Sequence, residues 1–224
     1  MTISSAFEEI PDEAARTYLQ RYYGLGEWEG KEFTGAHFDT FGINEPNALT
    51  ADDLIAVACL SKHVPARAAL GLLGDYSSKI TTLLGYIPPD LSIEDIPFDE
   101  HDRYFGDETP PLRLWRLLRR HESTRWGIGA TTASKLMARK RPGLIPIYDS
   151  VVAGLTGFNN SDGTWRAWHH AFATDGDLVR RLETLRSTTG LHGLSLLRIL
   201  DVVLWMHGSQ GSVGPESVDE PDEG

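Results

Sequence analysis

With 224 residues, 41% of them hydrophobic and 24% charged, the chain has an ordinary globular composition and enough length to bury a core. Its one cysteine, Cys59, lies in an apolar run, which excludes a disulfide framework, a cysteine-held iron–sulfur cluster and a cysteine-rich zinc site. A net charge of −11 speaks against a nucleic-acid partner if the charge is spread evenly, and it is not.

The first residues lack a basic start followed by an apolar stretch, and no apolar run approaches the ~20 residues of a membrane span, so a cytoplasmic protein is expected. Pro11 opens a predicted helix over 12–23 that Gly24 closes. Residues 24–48 are rich in glycine and aromatics without helical period, and allow a short β-hairpin. Thr50-Ala-Asp-Asp53 reads as a capping box ahead of an apolar helix that runs to Leu60. Helices follow over 66–73, 77–84 and 111–120, the last opened by Pro110-Pro111, and then over about 131–140, 150–156, 163–172, 177–187 and 193–207. From Gly208 onward the chain is glycine, serine, proline and acids, which predicts a disordered acidic tail over 209–224 behind one helical domain over 1–208. The fold class is therefore mostly α, a multi-helix bundle.

Charge is concentrated between Arg113 and Arg141, where nine basic residues face one acid, Glu122. Inside that segment Gly127-Ile128-Gly129 forms a turn between the helix at 111–120 and the one that opens near Thr131. Glycines let the backbone approach a ligand closely, and a helix N-terminus offers N–H groups to a phosphate. Turn and charge alone leave two readings evenly open: a phosphate clamp, or a plain helix connection with a solvated basic face. Elsewhere, Trp165 and Trp168 share a helical face and are expected to pack. His169 and His170 point different ways and make a poor metal pair, and Asp201 in the apolar helix at 193–207 is expected to cap or pair internally.

The stretch Arg125-Trp-Gly-Ile-Gly-Ala-Thr-Thr-Ala, with Asp149 falling 22 residues after Gly127, resembles the helix-hairpin-helix, Gly/Pro-Asp superfamily of DNA glycosylases, which includes endonuclease III and the 8-oxoguanine glycosylases. Leu54-Ile-Ala-Val-Ala-Cys-Leu-Ser61 is similar to the superfamily's apolar helix ending in Leu-Ser. That places His63 at the position of the residue that plugs the opened duplex, or leaves it a surface histidine. The resemblance implies a helix-hairpin-helix DNA grip at Gly127, Ile128, Gly129 and Thr131. Arg125, Lys135, Arg139, Lys140 and Arg141 would supply backbone electrostatics. Asp149 would be the catalytic carboxylate, or simply the N-cap of the helix that follows. Bifunctional members carry a lysine where this chain has Thr131, so a monofunctional enzyme is implied, one that uses no metal or other cofactor and acts on duplex DNA carrying a modified base. Lys135, one turn further, would line the base pocket, act as a displaced nucleophile or contact a phosphate. Trp126 stands where the superfamily has proline and is expected to pack beneath the hairpin or stack on a nucleotide. A catalytically silent DNA binder on the same scaffold and a helical interaction protein with a basic face are the alternatives. The stretches 50–73, 133–149 and 195–201 also resemble an uncharacterised, largely actinobacterial family, which implies no activity.

Overall fold

A computed structural model of the chain describes residues 2–120 and 126–209. Among these residues the chain forms twelve α-helices and four short 3-10 turns and no strand. The first two helices are α1 (Ile3–Glu8) and α2 (Asp12–Tyr23); the second ends on Gly24 at φ +64°, the left-handed conformation that glycine adopts at no steric cost. Next come α3 (Ala51–Ala58), α4 (Ala66–Leu73), α5 (Ser77–Gly85), α6 (His101–Phe105) and α7 (Pro110–Arg119). The chain continues with α8 (Ala130–Lys140), α9 (Ser150–Thr156), α10 (Thr164–Thr174), α11 (Gly176–Thr188) and α12 (Leu196–Gly208). None of these helices is long and apolar enough to cross a membrane.

Residues 24–48 correct the expected hairpin: they fold as 3-10 turns at Gly26–Trp28 and Thr34–Asp39 joined by irregular backbone. The aromatic residues serve the core instead of a strand pair. Phe33 stacks on Tyr22 with ring centroids 5.5 Å apart and meets the edge of Trp205.

Two helices sit deepest. In α12 every residue from Leu196 to Leu204 is buried, and α1, α2, α9 and α11 pack around it. In α8 all nine residues from Thr132 to Lys140 are buried, between α3 and α7. One continuous hydrophobic core joins both surroundings, from Ile3 to Met206. Helix α6 fastens to α10 through two buried imidazoles, His101 and His169, whose Nδ1 atoms lie 2.9 Å apart. Since His169 Nε2 faces the Ile96 carbonyl at 2.8 Å, it donates there; its Nδ1 then accepts the proton of His101 Nδ1. His170, the next residue, turns outward against Phe98.

Candidate functional site

The hairpin and the carboxylate meet at the N-terminal end of α8. Gly127 has φ +88°, and a Cβ there would come within 2.9 Å of Pro65 Cγ, so both the turn and the neighbouring loop require glycine at this position. Beneath the turn, Trp126 is buried; its Nε1 donates to the Leu118 carbonyl at 2.6 Å, and its ring lies so close to Gly71 that a Cβ there would be 2.4 Å from it. Arg120 lies over both Trp126 and Tyr76, 5.0 Å from each ring. Ile128 points into the core, while Gly127 and Gly129 are exposed. Gly129 caps α8 in extended backbone, and a Cβ on it would meet open space.

From this turn the site reaches three places. Thr131 is half-buried, and its carbonyl accepts the Ser134 hydroxyl, which in turn accepts the Tyr148 N–H at 2.9 Å. One turn along α8, Lys135 Nζ donates to the Leu60 carbonyl at 2.9 Å and lies 3.7 Å from Asp149 Oδ2. Asp149 itself caps α9: its Oδ1 accepts the Val151 N–H at 2.9 Å, and its side chain keeps 18% of its surface in solvent. The residue that anchors Lys135, Leu60, begins the loop that runs through Ser61, at φ +57°, to exposed His63 and to Pro65 beside the hairpin. Hairpin, loop and carboxylate therefore surround one end of one helix.

The electrostatics of this end are unusual for so acidic a chain. No acid occurs between Asp53 and Asp75 or between Glu122 and Asp149, so both segments that flank Asp149 carry only neutral and basic side chains. Burial pushes the Lys135 ammonium below its ordinary range, and Asp149 and Asp201 pull it back up. The Tyr148 phenol is pushed up, first by burial and then by Asp149.

The expected basic grip requires correction at its other end. Arg139, Lys140 and Arg141 are buried and spend their protons inside the protein. Arg139 donates to the carbonyls of Phe38, at 2.7 Å, and Phe41, and lies 3.4 Å from Asp53 Oδ1. Lys140 pairs with Asp53 at 2.5 Å and donates to Asn44 Oδ1 and the Glu45 carbonyl at 2.8 and 3.0 Å. Arg141 reaches the Ile87 and Pro46 carbonyls at 2.7 and 2.6 Å and Asn47 Oδ1 at 2.8 Å. The physical reason is the irregular backbone of residues 38–47, whose carbonyls find no strand partner; three cations at the end of α8 supply the missing donors. Arg125 lies outside the described residues, as do residues 210–224 of the expected tail, while Ser209, expected as its first residue, is buried and caps α12.

A second cluster of charges lies on α12, outside the motif. Asp201 pairs with Arg198 at 2.7 Å one turn earlier on α12, and Arg198 also meets Asp39 at 2.9 Å and the Tyr22 hydroxyl at 3.0 Å. Two opposite charges three residues apart in an otherwise apolar helix are the signal that marks this pair. Among the described residues no group of three or more histidine, cysteine, aspartate or glutamate side chains is placed to hold a metal.

A model of one protein family, described as a family of unknown function, matches residues 15–208. No curated protein and no solved structure matches the chain.

Proposed function

The chain belongs to that family, DUF6308, which brings no activity with it, and from the site together with the glycosylase-like motif we propose a monofunctional DNA glycosylase that uses Asp149 as its carboxylate. The observation that carries this reading is the meeting of the acid-free hairpin turn, the 61–65 loop and a partly exposed carboxylate at the N-terminal end of α8. A backbone phosphate would lie against Gly129 and the first N–H groups of α8, where the helix dipole favours negative charge. A modified base, turned out of the stack, would bring its sugar to Asp149, with the 61–65 loop and His63 entering the gap.

The chemistry follows from what holds Asp149. One oxygen is fixed by the Val151 N–H, and the other faces a buried ammonium, so the carboxylate is oriented and not free to swing. As the bond from the sugar C1′ to the base nitrogen breaks, the bond's electron pair leaves with the base and positive charge develops on the sugar. Asp149 stabilises that charge and orients a water, whose oxygen bonds to C1′ while its proton ends on the departing base. Thr131 stands where a Schiff-base lysine would be needed and has no amine, so the product is an intact abasic site.

A second reading, a silent duplex binder, is favoured by one fact: capping α9 accounts for Asp149 without any chemistry. The two separate in an excision assay on duplexes carrying a panel of modified bases, with alkali to cut at abasic sites. The enzyme reading expects cleavage by the wild type and none by Asp149→Asn. Tight duplex binding by both proteins without cleavage of any substrate would leave the silent binder.

A further inference from the structure

Asp149 stands at the end of an arm with little regular structure of its own. From Ile145 to Tyr148 the backbone belongs to no helix or strand, and Pro146 has no N–H with which to bond. The side chains of Ile145 and Ile147 are buried and hold the arm sideways, while Tyr148, the residue before Asp149, is half-buried. Both backbone polar atoms of Tyr148 face one hydroxyl on α8. Ser134 Oγ accepts the Tyr148 N–H at 2.9 Å, and the Tyr148 carbonyl lies 3.4 Å from the same oxygen.

Ser134 is an expensive choice for its place. It is fully buried in a helix, where alanine has the better propensity and a hydroxyl is tolerated only when bonded. Its proton goes to the Thr131 carbonyl at 2.9 Å, one turn back, which leaves the lone pairs of Oγ for the Tyr148 N–H. One oxygen thereby joins the first turn of α8 to the arm that carries Asp149. Beyond that joint the Val151 N–H closes on Asp149 Oδ1 at 2.9 Å, and Lys135, the residue after Ser134, faces Oδ2 at 3.7 Å.

We propose that Ser134 is a positioning residue whose hydroxyl sets where Asp149 stands relative to the N-terminal turn of α8. The inference rests on the glycosylase reading only for its consequence for rate. On that reading a phosphate lies at the turn and a sugar of the same duplex lies at Asp149, so both must be met at one fixed separation. Ser134 touches neither; it holds the frame. Without its hydroxyl the arm keeps its isoleucine anchors, but the Tyr148 N–H loses its partner and Asp149 gains freedom. A displacement of about 1 Å is enough to slow a reaction ~100-fold. The grip at Gly129 is untouched by it.

The test is amide hydrogen exchange on the full chain, read at Tyr148 and Val151, in the wild type, Ser134→Ala and Ser134→Cys. Cysteine has nearly the shape of serine and a weak acceptor, so it remains informative if the alanine variant does not fold. Both amides should be protected in the wild type and exchange about 10-fold faster in the variants, while amides in the middle of α12 stay as they were. Faster exchange at Tyr148 alone overturns the proposal, because the bond then holds Tyr148 and not Asp149. Unchanged exchange at both overturns it as well. The second arm sets the single-turnover excision rate against duplex Kd. In Ser134→Ala the rate should fall roughly 10- to 100-fold with Kd unchanged. An unchanged rate at saturating enzyme contradicts the positioning role. If the wild type excises no base from any duplex, the glycosylase reading fails and Val151 exchange alone decides the role of Ser134. Excision by the wild type with Val151 exchange unmoved in the variants keeps the enzyme and removes that role.

Discussion

The two ends of α8 are built from different residues and put to opposite uses. At its C-terminal end Arg139, Lys140 and Arg141 are buried; Arg139 and Lys140 pair with Asp53, and all three donate to carbonyls of residues 38–47. At its N-terminal end the backbone turns through two exposed glycines, with no acid until Asp149. The helix dipole suits both arrangements, since cations are favoured at a C-terminus and anions at an N-terminus. What differs is the neighbour. Irregular backbone packed over the C-terminal end needs donors and consumes the cations, whereas the N-terminal end meets the 61–65 loop and Asp149 and carries no side-chain cap. A run of basic residues is thus no measure of surface charge; here it marks a joint in the core.

The comparison breaks first at Asp53. Asp53→Ala leaves Arg139 and Lys140 buried without their counter-charge, which should cost ~3–5 kcal/mol and show as a large drop in the urea midpoint. An unchanged midpoint would mean that the C-terminal end is not a structural joint. Next in size is Gly127→Ala. The left-handed backbone and the 2.9 Å approach to Pro65 should together cost about 1–2 kcal/mol, read from thermal unfolding, and duplex affinity should fall as the turn and the loop are pushed apart. Smaller still is the cap. Asp149→Ala should lose about 1 kcal/mol while Asp149→Asn loses only a few tenths, because asparagine caps a helix as well as aspartate does. Equal losses in the two variants would show that the ion pair with Lys135, not the cap, is what Asp149 contributes to stability.

Much of this was legible in the sequence, and the reasons are local. Helix α4 begins after Pro65 and ends at Gly74, and α9 begins at an aspartate cap and ends at Gly157; both follow from backbone chemistry that single residues dictate. The capping box at Thr50 is present, with the Thr50 N–H donating to Asp53 Oδ2 at 2.8 Å. Asp201 was expected to cap or pair internally and pairs with Arg198, and Trp126, expected to pack beneath the hairpin or stack on a nucleotide, is buried. The inward turn of Arg139 was not, because its partners lie 86 to 101 residues away and no local pattern announces them. The same holds for the His101–His169 contact across 68 residues, and for the Leu60 carbonyl that anchors Lys135 across 75. Helix α1 and the short α6 escaped for a different reason: six and five residues are too few to display a hydrophobic period.

The claim that the N-terminal end of α8 is the working end is tested most directly by duplex affinity across a salt titration, for the wild type and Gly129→Asp. Aspartate is a good N-cap, Gly129 has backbone angles any residue adopts, and a Cβ there meets open space, so this variant should keep its stability. It places a negative charge where a phosphate would lie. The account predicts wild-type affinity that weakens steeply as salt rises, and loss of most of that affinity at low salt in the folded variant. Equal affinity in the two proteins, or no duplex binding by the wild type at low salt, would contradict it.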